Sequence, residues 1–261
     1  MSPMVLKSSA EIAIMDEANG IVRSILGDLE GFVRPGRTTM DIDSFVERRI
    51  REAGGVPAFK GYPNPSGGSD FPGSACTSVN EEIVHGVPSS RVVLNEGDVV
   101  SVDIGVVFRG YYGDGATTFP VGQIDERSSA LLRVTNEALD LGMDQARVGN
   151  RVSDIGHAVQ KHVEANGFSI VRDFVGHGIG SQLHEEPQIP NFGEPGRLQR
   201  LVAGMVLAIE PMVAAGRPDV DMSASDGWTA RTRDRSRAAH FEKCVAVTDT
   251  GPTVLGIARG A

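Results

Sequence analysis

Four carboxylates and one imidazole are the residues of this chain best suited by type to do chemistry: Asp103, Asp114, His177, Glu210 and Glu242. Each sits in a segment that reads as a strand or a glycine-flanked turn, where acids and histidines are poor structural choices. Gathered in one place, that much negative charge could not be buried without cations. An oxygen-rich set with one nitrogen suits a pair of hard or borderline divalent ions better than one tetrahedral zinc. The chemistry expected is that of a dinuclear metallohydrolase.

The first two acids lie on a β-hairpin read over residues 99–121. With Arg109-Gly110 as a two-residue loop, Phe108 faces Tyr111, which sets Asp103 opposite Ala116. Asp114 precedes Ala116 by two residues and points to the same face, so Asp103 and Asp114 become diagonal neighbours. An odd-length loop without a bulge would separate them. A solvent-facing hairpin is the plain alternative, but Val99, Val100, Val102 and Ile104 surround Asp103 as in a buried strand.

His177 is bracketed by glycines in Gly176-His177-Gly178-Ile179-Gly180, which is expected to be a turn that lets the backbone approach a ligand. His184 follows in His184-Glu185-Glu186-Pro187. Glu210 ends an apolar strand just before Pro211, and a carboxylate there needs a strong partner. Glu242 interrupts another strand; Lys243 points to the opposite face, and His240 shares the face of Glu242, behind the ligands. His85 sits before a glycine turn, and spacing alone does not distinguish it from a structural histidine. His157 and His162, five apart on a helix, are read as surface residues, and Arg231, Arg233, Arg235 and Arg237 as a solvated loop.

The elements that must position these groups follow from periodicity. Helices are expected over 9–30, capped by Ser8 or Ser9, from the Thr38-Thr39 cap to Gly54-Gly55, and over 127–147 and 152–166. Residues 57–74, rich in Gly, Pro and Ser, read as a loop. Short β-branched runs cover 168–174, 205–213 and 239–249. Helices then strands, twice over, indicate an α+β protein of one domain, residues 1–261. Its two similar halves, about 1–125 and 126–261, would surround one antiparallel sheet.

Composition sets outer limits. The chain has 261 residues, enough for a substantial core, with 25 basic and 34 acidic residues giving a net charge of −9. That balance argues against a nucleic-acid surface. Cys76 and Cys244 lie far apart and read as free thiols of a reducing compartment. No apolar run approaches a membrane span, and the N-terminus lacks the pattern of a signal peptide, so the protein is expected in the cytoplasm.

Taken together, the segments resemble the type I methionine aminopeptidases over nearly the whole chain. The resemblance is carried by Cys-Thr-Ser-Val-Asn-Glu-Glu-Ile-Val-His-Gly at 76–86, the Asp103/Asp114 hairpin, Gly-His-Gly-Ile-Gly with His-Glu-Glu-Pro, Ile-Glu-Pro-Met-Val, and Asp-Gly-Trp followed by Phe-Glu. It implies the pita-bread fold, a pseudo-two-fold antiparallel sheet covered by helices, with a central metal pair. By position, Asp103, Asp114, His177, Glu210 and Glu242 would be the ligands, with Asp103 and Glu242 bridging. Glu210 would shuttle a proton, and His85 and His184 would contact the substrate. Tyr62, Phe71, Cys76, Leu183 and Trp228 would line the methionine pocket. The reaction implied is removal of the initiator methionine from nascent chains with a small second residue.

The sequence also departs from that family's pattern. Glu242-Lys243-Cys244 stands for the usual Glu-His-Thr, Leu183 for a common phenylalanine, and the loop 63–70 is longer than usual. The alternatives are an aminopeptidase of altered N-terminal specificity and a non-catalytic binding module on the same fold. The second would predict missing ligands, yet all five are present. The ions can be Co, Mn, Fe or Zn. Transient ribosome association is motivated only by the nascent-chain substrate, and a monomer is expected because nothing demands a partner subunit.

Overall fold

The computed structural model describes residues 4–65, 67–223 and 225–257. Its first half carries helices α1 (Ser9–Phe32) and α2 (Thr39–Glu52), then strands β1 (Val56–Pro57), β2 (Ala75–Val79), β3 (Glu82–Val84), β4 (Val99–Phe108) and β5 (Tyr111–Pro120). The second half repeats the order with α3 (Glu126–Asp144) and α4 (Val152–Ala165). These precede β6 (Ser169–Ile170), β7 (Gly176–Gly178), β8 (Glu185–Ile189), β9 (Val206–Ile209) and β10 (Met212–Ala214). Strands β11 (Val220–Met222), β12 (Ala230–Thr232), β13 (Ala238–His240), β14 (Lys243–Thr248) and β15 (Gly251–Val254) close the chain.

Helix α1 starts where the sequence places its cap. The Glu11 N–H donates to Ser8 Oγ at 3.3 Å and the Ser8 N–H returns to the Glu11 carboxylate at 2.7 Å. Thr38 and Asp41 repeat the device on α2. The inward faces of α1 (Val22, Ile25, Leu26, Leu29) and α2 (Ile42, Val46, Ile50) pack on Val100, Val102, Ile104 and Val106 of β4. Each such side chain stabilises the fold by about 1.5–3 kcal/mol, and Leu29→Ala would cost about 2–5 kcal/mol. Helices α3 and α4 cover the second half through Leu131, Val134, Ala138, Val159 and Val163.

Every strand pairing among the described residues is antiparallel. The expected single sheet is divided among the described residues into four hydrogen-bonded sheets, and the breaks are informative. β9 pairs β14 and β10 pairs β13, with one gap at Glu210-Pro211 and another at Phe241-Glu242. Pro211 has no N–H to donate, so the ladder must open there. The run expected over 205–213 is thus two strands, the run over 239–249 likewise, and the one over 168–174 shrinks to Ser169–Ile170.

The halves meet where these breaks fall. The Glu242 N–H donates to the Ala116 carbonyl at 2.9 Å, and the Ala116 N–H donates back to Glu242 O at 3.3 Å. Two residues on, Thr118 Oγ1 both donates to the His240 carbonyl and accepts the His240 N–H, each at 2.9 Å. Among the described residues no helix is long and apolar enough to cross a membrane.

Candidate metal centre and substrate pocket

Strand register gathers the acids on one rung. Phe108 pairs with Tyr111 and Asp103 with Ala116, as the two-residue loop requires, so Asp103 and Asp114 are diagonal neighbours on one face. Ala116 pairs through its backbone with Glu242. Ile209 faces Lys243 and Met212 faces His240 in one register, which sets Glu210 across from Glu242. His177 faces Ala208 on the adjacent strand β7.

His177 is therefore a strand residue, not the loop residue its flanking glycines suggested. A Cβ at 176 would lie 2.4 Å from the Ala208 carbonyl, and one at 178 would lie 2.3 Å from that of Glu186. The two glycines let three strand backbones close around the histidine; they do not make a turn. His177 Nδ1 is 2.9 Å from the Gly178 carbonyl, which can only accept, so Nδ1 carries the proton and Nε2 presents its lone pair. Nε2 lies 3.4 Å from Glu210 Oε1 and 3.9 Å from Asp114 Oδ2.

The donors are those a cation needs. Ligand atoms of Asp114, His177 and Glu242 all lie within 4.8 Å of one another. Asp103 Oδ1 and Glu242 Oε1, on the two residues expected to bridge, are buried polar atoms without a hydrogen-bond partner. Such atoms are costly unless a charge meets them. Burial pushes the Asp103 carboxyl up to about 7, with Glu210 adding to the rise, and burial pushes Glu210 itself up to about 8. Asp114 and Glu242 rise well above the carboxylate range, by burial first and then by their acidic neighbours. Burial holds His177 down to about 3, so its approach to the acids is two ligand atoms converging and not an ion pair.

All twelve residues singled out from the sequence line one cavity of about 330 Å³: Asp103, Asp114, His177, Glu210 and Glu242; His85 and His184; and Tyr62, Phe71, Cys76, Leu183 and Trp228. His184 stands 4.4 Å from the His177 ring, and its Nδ1 lies 2.9 Å from Tyr62 Oη. Burial raises the Tyr62 phenol, which keeps its proton; in the tautomer whose Nδ1 accepts that proton, His184 offers Nε2–H to the cavity. His85 adopts a left-handed φ of 59° and stacks edge-on to Phe174 at 5.3 Å. Four other described non-glycine residues share that region, Arg109 of the hairpin loop among them, so the conformation alone does not mark function. Burial holds His85 neutral, down to about 4.

Phe59, Pro65, Val84, Phe174, Val175 and Met212 also line the cavity. Met212, two residues past Glu210, was accessible from strand alternation and Val84 ends β3; Phe59, Pro65, Phe174 and Val175 lie in segments without periodicity. His240 joins the site as expected, its Nε2 3.5 Å from Glu210 Oε2. His157 and His162 are half-buried and bonded: His162 to Glu137 where α4 packs on α3, and His157 to the Gly193 carbonyl in the loop after β8. Of the arginine run, Arg231 lies on β12 against Glu82, Arg233 and Arg235 are exposed in the loop that follows, and Arg233 pairs with Asp221 and Arg237 with Asp125. Cys76 and Cys244 are free and buried. Lys243 turns away to Asp140 at 3.1 Å.

The sequence matches the profile of metallopeptidase family M24 over residues 13–249. It is 48% identical over 252 residues to a methionine aminopeptidase of Clostridium acetobutylicum, covering 97% of this chain and 98% of that one. Methionine aminopeptidase 1 of Bacillus subtilis is likewise 48% identical, with the same coverage. The solved methionine aminopeptidase of Thermotoga maritima superposes with a TM-score of 0.93 at 44% identity, over 97% of this chain and 99% of the other. A prolidase of Pyrococcus horikoshii shares the fold at 20% identity and TM-score 0.76, but this chain covers only 64% of it.

Proposed function

We propose that this chain, which belongs to metallopeptidase family M24 and has its pita-bread fold, removes the N-terminal methionine from polypeptides whose second residue is small. One observation carries the reading: five ligand-type side chains converge on a cavity with two buried carboxylate oxygens left unpartnered, beside an apolar pocket. Residues 1–261 act as one catalytic unit, the repeated helix–helix–strand order marking the halves 1–125 and 126–261.

The chemistry uses divalent metal, and we read two ions, which Asp103, Asp114, His177, Glu210 and Glu242 would hold. Bound there, they would supply Lewis acidity, lowering the pKa of a water and polarising the scissile carbonyl. Glu210 is fixed by the Asn191 amide on its carbonyl at 2.9 Å; its carboxyl, close to neutral pH in affinity, can accept a proton and pass it to the leaving amine. His184 donates Nε2–H to the oxygen on which charge develops. His85, neutral and held by its backbone, orients the amide on the leaving side. Tyr62, Phe71, Cys76, Leu183 and Trp228 receive the methionine side chain; aromatic edges and a polarisable thioether attract. The substrates are nascent chains with free N-terminal methionine, met in the cytoplasm by a monomer that contacts ribosomes transiently.

The test is release of methionine by metal-stripped protein resupplied with Co, Mn, Fe or Zn. The expected result is cleavage of Met-Gly-Met-Met and not of Met-Leu-Met-Met. Folded protein silent with every metal would overturn the reading in favour of a binding module, and release of other first residues would move it to an altered specificity. Co-sedimentation with translating ribosomes at low salt tests the ribosome contact, and light scattering tests the monomer.

A further inference from the structure

Asp114 is gripped from behind by side chains of both halves. Its N–H donates to Asn19 Oδ1 at 3.3 Å, and the Cys244 thiol donates to its carbonyl at 3.4 Å. Asn19 is itself fixed: it is 2% exposed, and its Nδ2 donates to the Met15 carbonyl at 2.8 Å. Helix α1 can come this close because residue 113 is glycine; a Cβ there would lie 2.6 Å from the Ala18 carbonyl carbon and 2.7 Å from the Asn19 nitrogen.

Packing does only part of this job. Behind the contacts runs a crevice of about 200 Å³ between α1, β5 and β14, and Asn19, Asp114, Glu242 and Cys244 line it. Beside that crevice dispersion contacts are fewer, and the polar contacts add to the hold on Asp114.

We propose that Asn19 and Cys244 are positioning residues, a clamp on the Asp114 backbone that sets the metal affinity of the site. The proposal rests on the reading of Asp114 as a metal ligand. The Gly115 N–H donates to Asp114 Oδ1 at 3.1 Å, which leaves Oδ2 as the oxygen that turns to His177. A metal site tolerates errors of only about 0.2 Å in ligand distance, so a slip of the Asp114 backbone is felt directly. The clamp joins α1 of one half to β14 of the other, which couples the alignment of the halves to the metal.

Calorimetric titration of Mn²⁺ or Co²⁺ into metal-free protein tests it, with the visible Co²⁺ spectrum as a readout of ligand geometry. Asn19→Ala should weaken binding about 10- to 100-fold, the range for groups that hold ligands in place, and shift the Co²⁺ bands. Cys244→Ala should weaken binding by less, and Cys244→Ser should restore it, because a hydroxyl also donates to the Asp114 carbonyl. Should Asn19→Ala fail to fold, the Cys244 pair decides alone. Wild-type affinity and spectrum in the variants would overturn the clamp while leaving the metal site standing. A wild-type protein that binds neither ion would overturn the metal reading, and the clamp with it.

Discussion

The rung of acids and the wall of the substrate pocket are built by opposite means. On the rung, regular strand pairing fixes Asp103, Ala116 and Glu242, and the register of the flanking ladders adds Glu210. The wall, residues 58–74, contains neither helix nor strand among its described residues. Turn-type backbone bonds, such as Gly61 N–H to the Phe71 carbonyl at 2.8 Å, shape it, and side chains tie it to the helices: Asp43 on α2 accepts the Ser74 and Ala75 N–H groups at 2.6 and 3.0 Å, and Glu47 holds Lys60 at 2.7 Å. Farther along the wall, Trp228 Nε1–H donates to the Ser69 carbonyl at 2.9 Å. Backbone positions the rung, and its carboxylates burden the fold. In the wall a carboxylate does the positioning. Rung substitutions should therefore abolish chemistry and spare the fold, whereas wall substitutions should loosen binding and spare the chemistry.

The largest expected effect is at the rung. Asp103→Asn or Glu242→Gln should lower kcat/KM by at least about 10³-fold, beyond the 10–100-fold typical of groups behind the ligands. Asp103→Asn should also melt no lower than wild type when both are metal-free at pH 8, since it removes a buried charge. An apo protein that unfolds on losing that acid would break the comparison at its root.

Acidity sharpens the contrast. Asp103 is raised from 3.8 to about 7 and Glu210 from 4.5 to about 8, so in the metal-free protein the folded state holds these protons more tightly than the unfolded one. Their contribution is fully present below about pH 4 and is lost as pH rises through 7 to 8. Thermal melts of chelated protein should fall between pH 5.5 and 8.5, with part of the change from these two groups. Saturating divalent metal, which binds the deprotonated carboxylates, should reverse the slope over that window. A metal-free protein whose melting point climbs with pH would contradict the burial of unpaired acids on the rung.

The two regions were also unequally legible. A period of two fixes which side chains share a strand face, so the two-residue loop at Arg109-Gly110 was enough to place Asp103 against Ala116 and Asp114 on its diagonal. The caps at Ser8 and Thr38 gave the helix starts. Non-local pairing was not readable in this way: no local pattern says that Glu242 meets Ala116, or that β9 and β14 share a register that brings Glu210 across. Nor did pattern reveal His177 as a strand residue, since glycines that admit neighbouring backbones look like glycines that turn. The wall was beyond pattern altogether. Tyr62, Phe71 and Cys76 came from the family resemblance, and Asp43, which holds the wall, was hidden on a helix whose apolar face drew the attention.

Asp43 is the next place to press. It is buried, and Asp43→Ala strands two buried N–H groups, at a cost of about 1–3 kcal/mol each in the limit of no rearrangement. Because Cys76 and Phe71 follow from the segment it anchors, KM for Met-Gly-Met-Met should rise about tenfold while kcat stays within about threefold. A matching fall in kcat would mean that the wall also places the reacting atoms.

The smallest effect argued is at Trp228, 9% exposed, whose ring meets Phe71 edge-on at 5.3 Å. Trp228→Phe can keep that aromatic contact but removes the bond to Ser69 O, a loss of about 0.5–1.5 kcal/mol. Steady-state kinetics should show KM raised by up to about tenfold and kcat unchanged. Metal affinity by calorimetry should match wild type, since Trp228 touches the pocket and none of the five ligands is held by it. A variant that binds metal more weakly would show that wall and rung are one mechanical unit, and the division between backbone-built chemistry and side-chain-built specificity would fail.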